Sequence, residues 1–180
     1  MPMLICITGK AKAGKDTVGD FLYEKHGFTK LPLAGPLKLA ASVAFRNVPS
    51  NYHDQDLKAA VDPLWGITRR QELQNFGESL CQTFGEDFWI RRWMLDYTLL
   101  AQTDHVVVTD VRKDVEADFF RSIGGRIVHL YRTGSGLSGP EGMHRTEQGV
   151  LSRQGDFTIV NDGTLGDLER QVERLIGAGA

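Results

Sequence analysis

The sequence predicts an α/β domain in which a parallel sheet is covered by helices on both faces. Three observations predict it. Short apolar, β-branched runs alternate with amphipathic helical patterns along the chain. The first run, Leu4–Thr8, is continuously apolar, as a strand buried on both faces must be. That run passes straight into a glycine-rich loop and a helix, ITGKAKAGKDTVGDFL. A turn of this kind lies at the carboxyl end of a strand, where parallel sheets bind their ligands.

The remaining elements follow in order. Lys15–Lys25 is expected to be helical, with Val18, Phe21 and Leu22 on one face, and Phe28–Leu33 to be a second strand. Pro36–Phe45 reads as a helix with proline near its start. Asn47–Asp62 is polar and irregular. Thr68 and Gln71 form a capping-box pattern ahead of Leu73, Phe76, Leu80, Cys81 and Phe84 at helical spacing, and Gly85 ends that helix. Glu86–Ala101 is a further helix with two acids in its first turn. His105–Thr109 is a strand that ends in Asp110, and Val115–Ile123 is a helix closed by Gly124 and Gly125. Arg126–Tyr131 and Phe157–Val160 are strands. Between them Thr133–Gly142, rich in Gly and Ser, is expected to be a mobile loop. Thr164 and Asp167 pair as a cap for the closing helix, Leu165–Ile176.

The 180 residues are expected to form one domain, 1–180, long enough to bury its own core. A net charge of −2 with 24% charged residues gives no global attraction to nucleic acid or membrane, so anion binding must come from local basic clusters. The two cysteines, Cys6 and Cys81, lie in apolar patterns and read as buried thiols. The N-terminal run lacks a basic leader and reads as a strand.

The chemistry starts in the loop. Gly9, Gly14 and Lys15 match G-x-x-x-x-G-K, whose backbone N–H groups cradle phosphate oxygens while the lysine reaches the β- and γ-phosphates. The alternative is a strand-to-helix turn without ligand. The next position, where a Ser or Thr hydroxyl is usual, holds Asp16, and Thr17 follows. An acid in the first turn of a helix is favourable without function. It is also a hard oxygen donor suited to Mg²⁺. Its charge beside a triphosphate calls for offsetting cations. Arg69 and Arg70 at a helix start oppose the helix dipole and so suggest an anion there, unless they simply face solvent. In FWIRRW, two tryptophans with Arg91 and Arg92 could clamp a base and a phosphate, or Phe88, Trp89 and Trp93 could be core. Asp110 suits a second Mg²⁺-organising carboxylate, or a cap for the next helix. Arg112 beside it could touch phosphate. Arg132, Arg145 and Arg153, with His144, suit a lid over a transferring phosphate, or scattered surface charge.

These residues resemble a known family. GKAKAGKDTVGDFL, LAGPLKLAASVAF, RRQELQNFGESLCQTFGEDFWIRRW, VVVTDVRKDVEADFF and HRTEQGVLSRQGDFTIVNDGTLGDL are similar, in order, to segments of the deoxynucleoside monophosphate kinases of tailed bacteriophages. In that family Asp commonly follows the loop lysine. The resemblance implies a three-layer P-loop NTPase fold, nucleoside-monophosphate-kinase-like, with a monophosphate region near 35–100 and a lid near 132–155. It implies transfer of the ATP γ-phosphoryl group to a deoxynucleoside monophosphate, with Mg²⁺. By position, Gly9, Ala11, Lys12, Ala13, Gly14, Lys15, Asp16, Thr17 and Asn161 would bind ATP. Lys38, Arg69, Arg70, Trp89, Arg92, Asp110 and Arg112 would meet the acceptor. Lys15, Asp16, Arg132 and Arg145 would be catalytic, and Asp16 and Asp110 would organise the metal. Expected partners are these two nucleotides, with room for a homodimer and with no nucleic acid or membrane; the expected location is the cytoplasm, the host's if the protein is viral. A similar GKD-type loop in animal phosphomevalonate kinases, and the broader architecture shared with dephospho-coenzyme A kinases, leave another phosphorylated acceptor open; a nucleotide-binding module without transfer is the alternative of a different class.

Overall fold

A computed structural model describes residues 2–137 and 149–178. By its internal contacts the chain divides into two compact units, Met1–Pro32 with Asp96–Ala180, and Leu33–Leu95.

The first unit carries five parallel strands: β1 (Leu4–Thr8), β2 (Thr29–Lys30), β3 (Val106–Val111), β4 (Arg126–Tyr131) and β5 (Phe157–Val160). Their spatial order is β2-β3-β1-β4-β5. The chain fills one side of β1 and then the other, so β1 is the topological switch point of the sheet, where the carboxyl ends open a crevice. β1 is buried at all five positions, as its unbroken apolar sequence requires.

One face is covered by α1 (Lys15–His26) and the closing helix, called α7 here (Leu165–Gly177). Ile5, Ile7, Val107, Val128, Leu130 and Ile159 from the strands meet Val18, Leu22, Leu168, Val172 and Leu175 from these helices. The opposite face carries Leu4, Cys6, Val106, Val108 and Ile127, with α6 (Asp114–Ser122) burying Ala117 and Phe120 against β4. Cys6 and Cys81 are both buried free thiols. Thr164 caps α7 as its spacing predicts, accepting from the Asp167 N–H at 3.2 Å while Asp167 accepts from the Thr164 N–H at 2.8 Å.

The second unit is helical. It holds α2 (Gly35–Ala44), a 3₁₀ turn (Pro49–Tyr52), α3 (Gln55–Ala59), α4 (Arg69–Phe84) and the start of α5 (Phe88–Leu100). The Thr68–Gln71 capping box forms as expected. Among the described residues no helix is long and apolar enough to cross a membrane.

Three boundaries differ from the sequence pattern. The second strand shrinks to Thr29–Lys30, which pair with Val106 and Val107; the Leu31 N–H still donates to Val107 O at 2.9 Å, and Pro32, with no N–H, ends the pairing. β3 runs on through Val111, which pairs with Thr8 across a register shift, so Asp110 lies inside the strand and does not cap α6. The irregular stretch 47–62 contains two short helices; Asp54 caps the second by accepting from the N–H groups of Asp56 and Leu57, both at 2.9 Å.

A buried charge cluster locks β4, α6 and the approach to β5. Asp156 accepts from Arg121 Nη2 at 2.6 Å and Nε at 3.0 Å, from the Arg153 N–H at 2.9 Å, and lies 2.9 Å from His129 Nε2. Burial alone would raise the Asp156 carboxyl, but these donors overcome it and hold the pKa well below the usual carboxylate range. Its stabilising effect is therefore complete above pH ~4 and is lost as the pH falls through the folded value. Replacing Asp156 by Ala leaves the buried His129 imidazole without its carboxylate and Arg121 with the Asp118 carboxylate alone, which accepts from Nη1 at 2.7 Å. The expected cost is about 3 kcal/mol in urea unfolding at neutral pH; a loss below about 0.5 kcal/mol would remove the cluster from the account of the fold.

Candidate nucleotide site

The loop after β1 is built by close backbone approach. A Cβ at Gly9 would enter the van der Waals envelope of the Leu130 carbonyl oxygen on β4. Lys12 is held at φ 65°, a left-handed conformation that a residue with a Cβ adopts at a cost of roughly 1 kcal/mol. The Ala13 N–H closes a tight turn onto Lys10 O at 3.2 Å, and Gly14, at φ 103°, leads into α1. The Ala11 and Ala13 side chains are buried. Lys15 folds back across the loop, donating from Nζ to Gly9 O at 2.8 Å and to Lys10 O at 2.9 Å. Its ammonium thus stands at the loop together with the N-terminus of α1, the arrangement that receives phosphate.

Asp16 is exposed in the first turn of α1, and its Oδ1 lies 3.4 Å from the Thr109 hydroxyl of β3. Gly19 permits this proximity, since a Cβ there would come within 2.5 Å of Thr109 Cγ2. Asp110 follows Thr109 at the register shift in β3, and its charge acts on Cys6 and Glu116. Asp110, Arg112 and Lys15 each carry further interactions. Glu116, which the sequence reading passed over, accepts from the Arg112 N–H at 2.8 Å and the Lys113 N–H at 3.0 Å, both on Oε2. It therefore fixes the turn in which Arg112 sits.

The other edge of the loop meets the exits of β4 and β5. The Asn161 side chain donates to Ala13 O at 2.9 Å, and the Gly136 N–H donates to Ala11 O at 2.8 Å. Asp162 accepts from both the N–H and the hydroxyl of Thr133, at 2.7 and 2.8 Å. Arg132 is exposed just before this latch. Arg153, at the far end of the expected lid, pairs with Asp118 at 2.6 Å. His144 and Arg145 lie outside the described residues.

The second unit holds Lys38, Arg69, Arg70, Trp89 and Arg92 of the expected acceptor residues, while Asp110 and Arg112 belong to the first. Arg69 donates from Nη1 to Leu57 O at 3.1 Å, with Nη2 4.0 Å from Asp62. Its guanidinium is thus partly engaged within the unit and is only 16% exposed. Lys38 Nζ stands 3.4 Å from His53 Nδ1. Trp89 donates its indole N–H to Gly77 O at 3.1 Å. Arg70 and Arg92 carry further interactions. The FWIRRW clamp is corrected in two places. Trp93 is wholly buried, as an apolar ring facing a helical core is, and Arg91 is taken up by Phe84 O at 2.6 Å and Asp87 at 3.3 Å.

Sequence reading also missed a buried polar group in this unit. Tyr52 and Glu72 are both fully buried, and the Tyr52 hydroxyl donates to Glu72 Oε2 at 2.7 Å. Burial and the Glu72 carboxylate both push the Tyr52 phenol up, and Asn47 and Arg69 oppose them. The Asp54 cap signal could have revealed α3, but nothing local ties Tyr52 to Glu72.

The sheet order, the glycine loop at its switch point and the lysine folded across it define an α/β protein of the P-loop, nucleoside-monophosphate-kinase-like class. Within that class the chain belongs to the deoxynucleotide monophosphate kinase family, whose profile matches residues 3–74 and 53–172. It is 28% identical over 184 residues to a putative deoxynucleotide monophosphate kinase of Acanthamoeba polyphaga mimivirus, covering 94% of each chain. It is 23% identical over 241 aligned positions to the deoxynucleotide monophosphate kinase of Enterobacteria phage T4, covering 96% of this chain and 98% of that one. Among solved structures, the protein TT1252 of Thermus thermophilus superposes with a TM-score of 0.53 at 18% identity, over 99% of this chain and 98% of that one, which is a likeness of fold.

Glu116 supplies a pH test of the site's construction. Burial raises its carboxyl, the two N–H donors oppose that, and the Asp110 charge adds to it, leaving the pKa at about 7 against an ordinary 4.5. Folding therefore holds a proton that the unfolded chain releases across this window. The associated stability is present below the unfolded value and is lost as the pH rises through about 7. Glu116→Gln keeps one oxygen able to accept both N–H bonds without the charge. Its stability relative to wild type is expected to rise by roughly 1–3 kcal/mol between about pH 5 and pH 8 in urea titrations. A difference that stays flat with pH contradicts the assignment.

Proposed function

We propose that the protein transfers the γ-phosphoryl group of ATP to a deoxynucleoside 5′-monophosphate, giving the diphosphate and ADP. The observation that carries this reading is the Lys15 ammonium, bonded across the mouth of the loop to Gly9 O and Lys10 O in a chain of this family. The relatives named above are called deoxynucleotide monophosphate kinases, which supports the acceptor class.

Phosphoryl transfer asks for little covalent chemistry from protein and much positioning and cationic stabilisation. On this reading the loop amides hold the ATP phosphates and Lys15 exchanges its carbonyl partners for the β- and γ-oxygens. Arg112 and Arg132, at the carboxyl ends of β3 and β4, offset charge on the transferring group. Arg69, Arg70 and Lys38 hold the acceptor phosphate, with Trp89 and Arg92 beside it. The acceptor phosphate is already ionised at neutral pH, so the reaction needs no general base.

The donor set fits Mg²⁺. Asp16 and Asp110 offer carboxylates, and Thr17 and Thr109 offer hydroxyls, all hard oxygens. Among the described residues no three acidic, His or Cys side chains converge on one point. That suits an ion held by one or two carboxylates together with substrate phosphates. Bound by Asp16 and Asp110, it would neutralise charge on the phosphate oxygens.

The test is ADP release from Mg·ATP against dAMP, dGMP, dCMP, dTMP and their ribose counterparts. Turnover with at least one deoxynucleotide and little ADP without acceptor is expected. ATP binding without transfer to any of them would overturn the reading in favour of another acceptor or a binding module. Lys15→Ala should lower turnover by roughly 10²–10³-fold with the unfolding midpoint preserved, the scale of one electrostatic donor lost from a transition state. Near wild-type turnover would dismiss Lys15 from the role.

A further inference from the structure

Two segments far apart in sequence grip the phosphate loop from the same side. Asn161, just past β5, donates its amide to Ala13 O at 2.9 Å, and Gly136, just past β4, donates its N–H to Ala11 O at 2.8 Å. The two segments are themselves joined. The Asn161 N–H donates to Tyr131 O at 2.8 Å, and both oxygens of Asp162 hold Thr133. Those donors also pull the Asp162 carboxyl below its ordinary range, so it stays ionised and accepting at neutral pH.

The geometry has a direct consequence for the loop. In a planar trans peptide the C=O of one residue and the N–H of the next point in opposite directions. Fixing Ala11 O and Ala13 O on the clamp therefore aims the Lys12 and Gly14 N–H groups away from it. These are the groups an anion seated in the loop would use. A free glycine-rich loop can flip such peptides at little cost, and Gly14 at φ 103° is the most permissive point. The clamp also explains why position 14 takes no side chain, because a Cβ there would lie 2.5 Å from Asn161 Nδ2.

We propose that Asn161 and Asp162 are positioning residues for the nucleotide phosphates: Asn161 sets the peptide orientation of the loop through Ala13 O, and Asp162 holds the β4 exit so that Gly136 sets it through Ala11 O. Neither residue touches the ligand. The proposal rests on the loop being the ATP site. It assigns Asn161 to the phosphate end of the nucleotide through the backbone, where the sequence resemblance says only that it would bind ATP.

The substitutions separate orientation from packing. Asn161→Ala removes the donor. Asn161→Asp keeps the shape but sets a charged oxygen against the Ala13 carbonyl, so it should be the more damaging, whereas a packing role predicts the reverse. Asp162→Ala loses both bonds to Thr133, and Asp162→Asn keeps one acceptor. Calorimetric titration with Mg·ATP should show affinity roughly tenfold weaker for Asn161→Ala, the scale of one lost hydrogen bond. Asn161→Asp should be weaker again, and Asp162→Asn should fall between Asp162→Ala and wild type. KM for the acceptor and the unfolding midpoint should stay close to wild type. Asn161→Asp binding ATP as well as Asn161→Ala or better, or losses shared equally between ATP and acceptor, overturns the clamp while leaving the kinase reading intact. Wild-type protein that binds no ATP overturns both.

Discussion

Where β1 ends, the backbone at Gly9 passes so close to the Leu130 carbonyl that no side chain fits between them. Much of the first unit follows from that approach. It draws the loop onto the carboxyl end of β4 while β3 pairs along the other flank of β1. The loop then begins at the switch point of the sheet, with the exits of three strands around it. Lys15 can return to the loop's first carbonyls only because the chain turns this tightly. A bulkier residue at position 9 would have to move β1 away from β4, and with it the line of buried Ile5, Ile7, Val128 and Leu130 that packs α1 and α7.

The loop is rigid on one side and charged on the other. Its buried side is fixed by short apolar side chains, Ala11 and Ala13, and by donors from β4 and β5. Its exposed side carries Lys10 and Lys12. Both described ends of the segment expected as a lid are tied to this unit. Thr133 is held by Asp162 at one end; at the other, the Leu151 N–H donates to Asp114 at 2.8 Å and Arg153 pairs with Asp118. The Asp156 cluster lies directly beneath the second tie, so the same buried carboxylate that joins His129 to Arg121 also anchors the return to β5.

The parts of this arrangement that could be read from the sequence are those with local causes. The buried strand, the loop spacing, and the two capping boxes at Thr68 and Thr164 are each specified within a few residues, and each formed. Strand ends were less legible, since pairing decides them: β3 outlasts its apolar run because Val111 finds Thr8 across a bulge. Buried polar pairs were not legible at all. Tyr52 meets Glu72 across 20 positions, and Asn161 meets Ala13 across 148. Tyr52 and Glu72 look, in sequence, like ordinary polar residues in a turn and a helix, and the resemblance that names Asn161 does not give its partner.

Asp16 shows why the loop's two sides must be considered together. A carboxylate one residue past the loop lysine repels a polyphosphate; at about 4 Å and an effective dielectric of 20 each unit charge pair costs roughly 4 kcal/mol. The position is favourable for an acid in the absence of ligand, because the N-terminus of α1 offers it partial positive charge. Lys10, Lys12 and Lys15 bring three cations to the same short loop. Set against one carboxylate, they leave the loop net positive by two before any arginine is counted. The Thr109 hydroxyl 3.4 Å from Asp16 Oδ1 draws that carboxylate toward β3. On the proposed reading, Asp16 therefore takes over the metal-facing duty of a hydroxyl residue without making the loop hostile to phosphate. The loop can carry that charge because its own lysines exceed it.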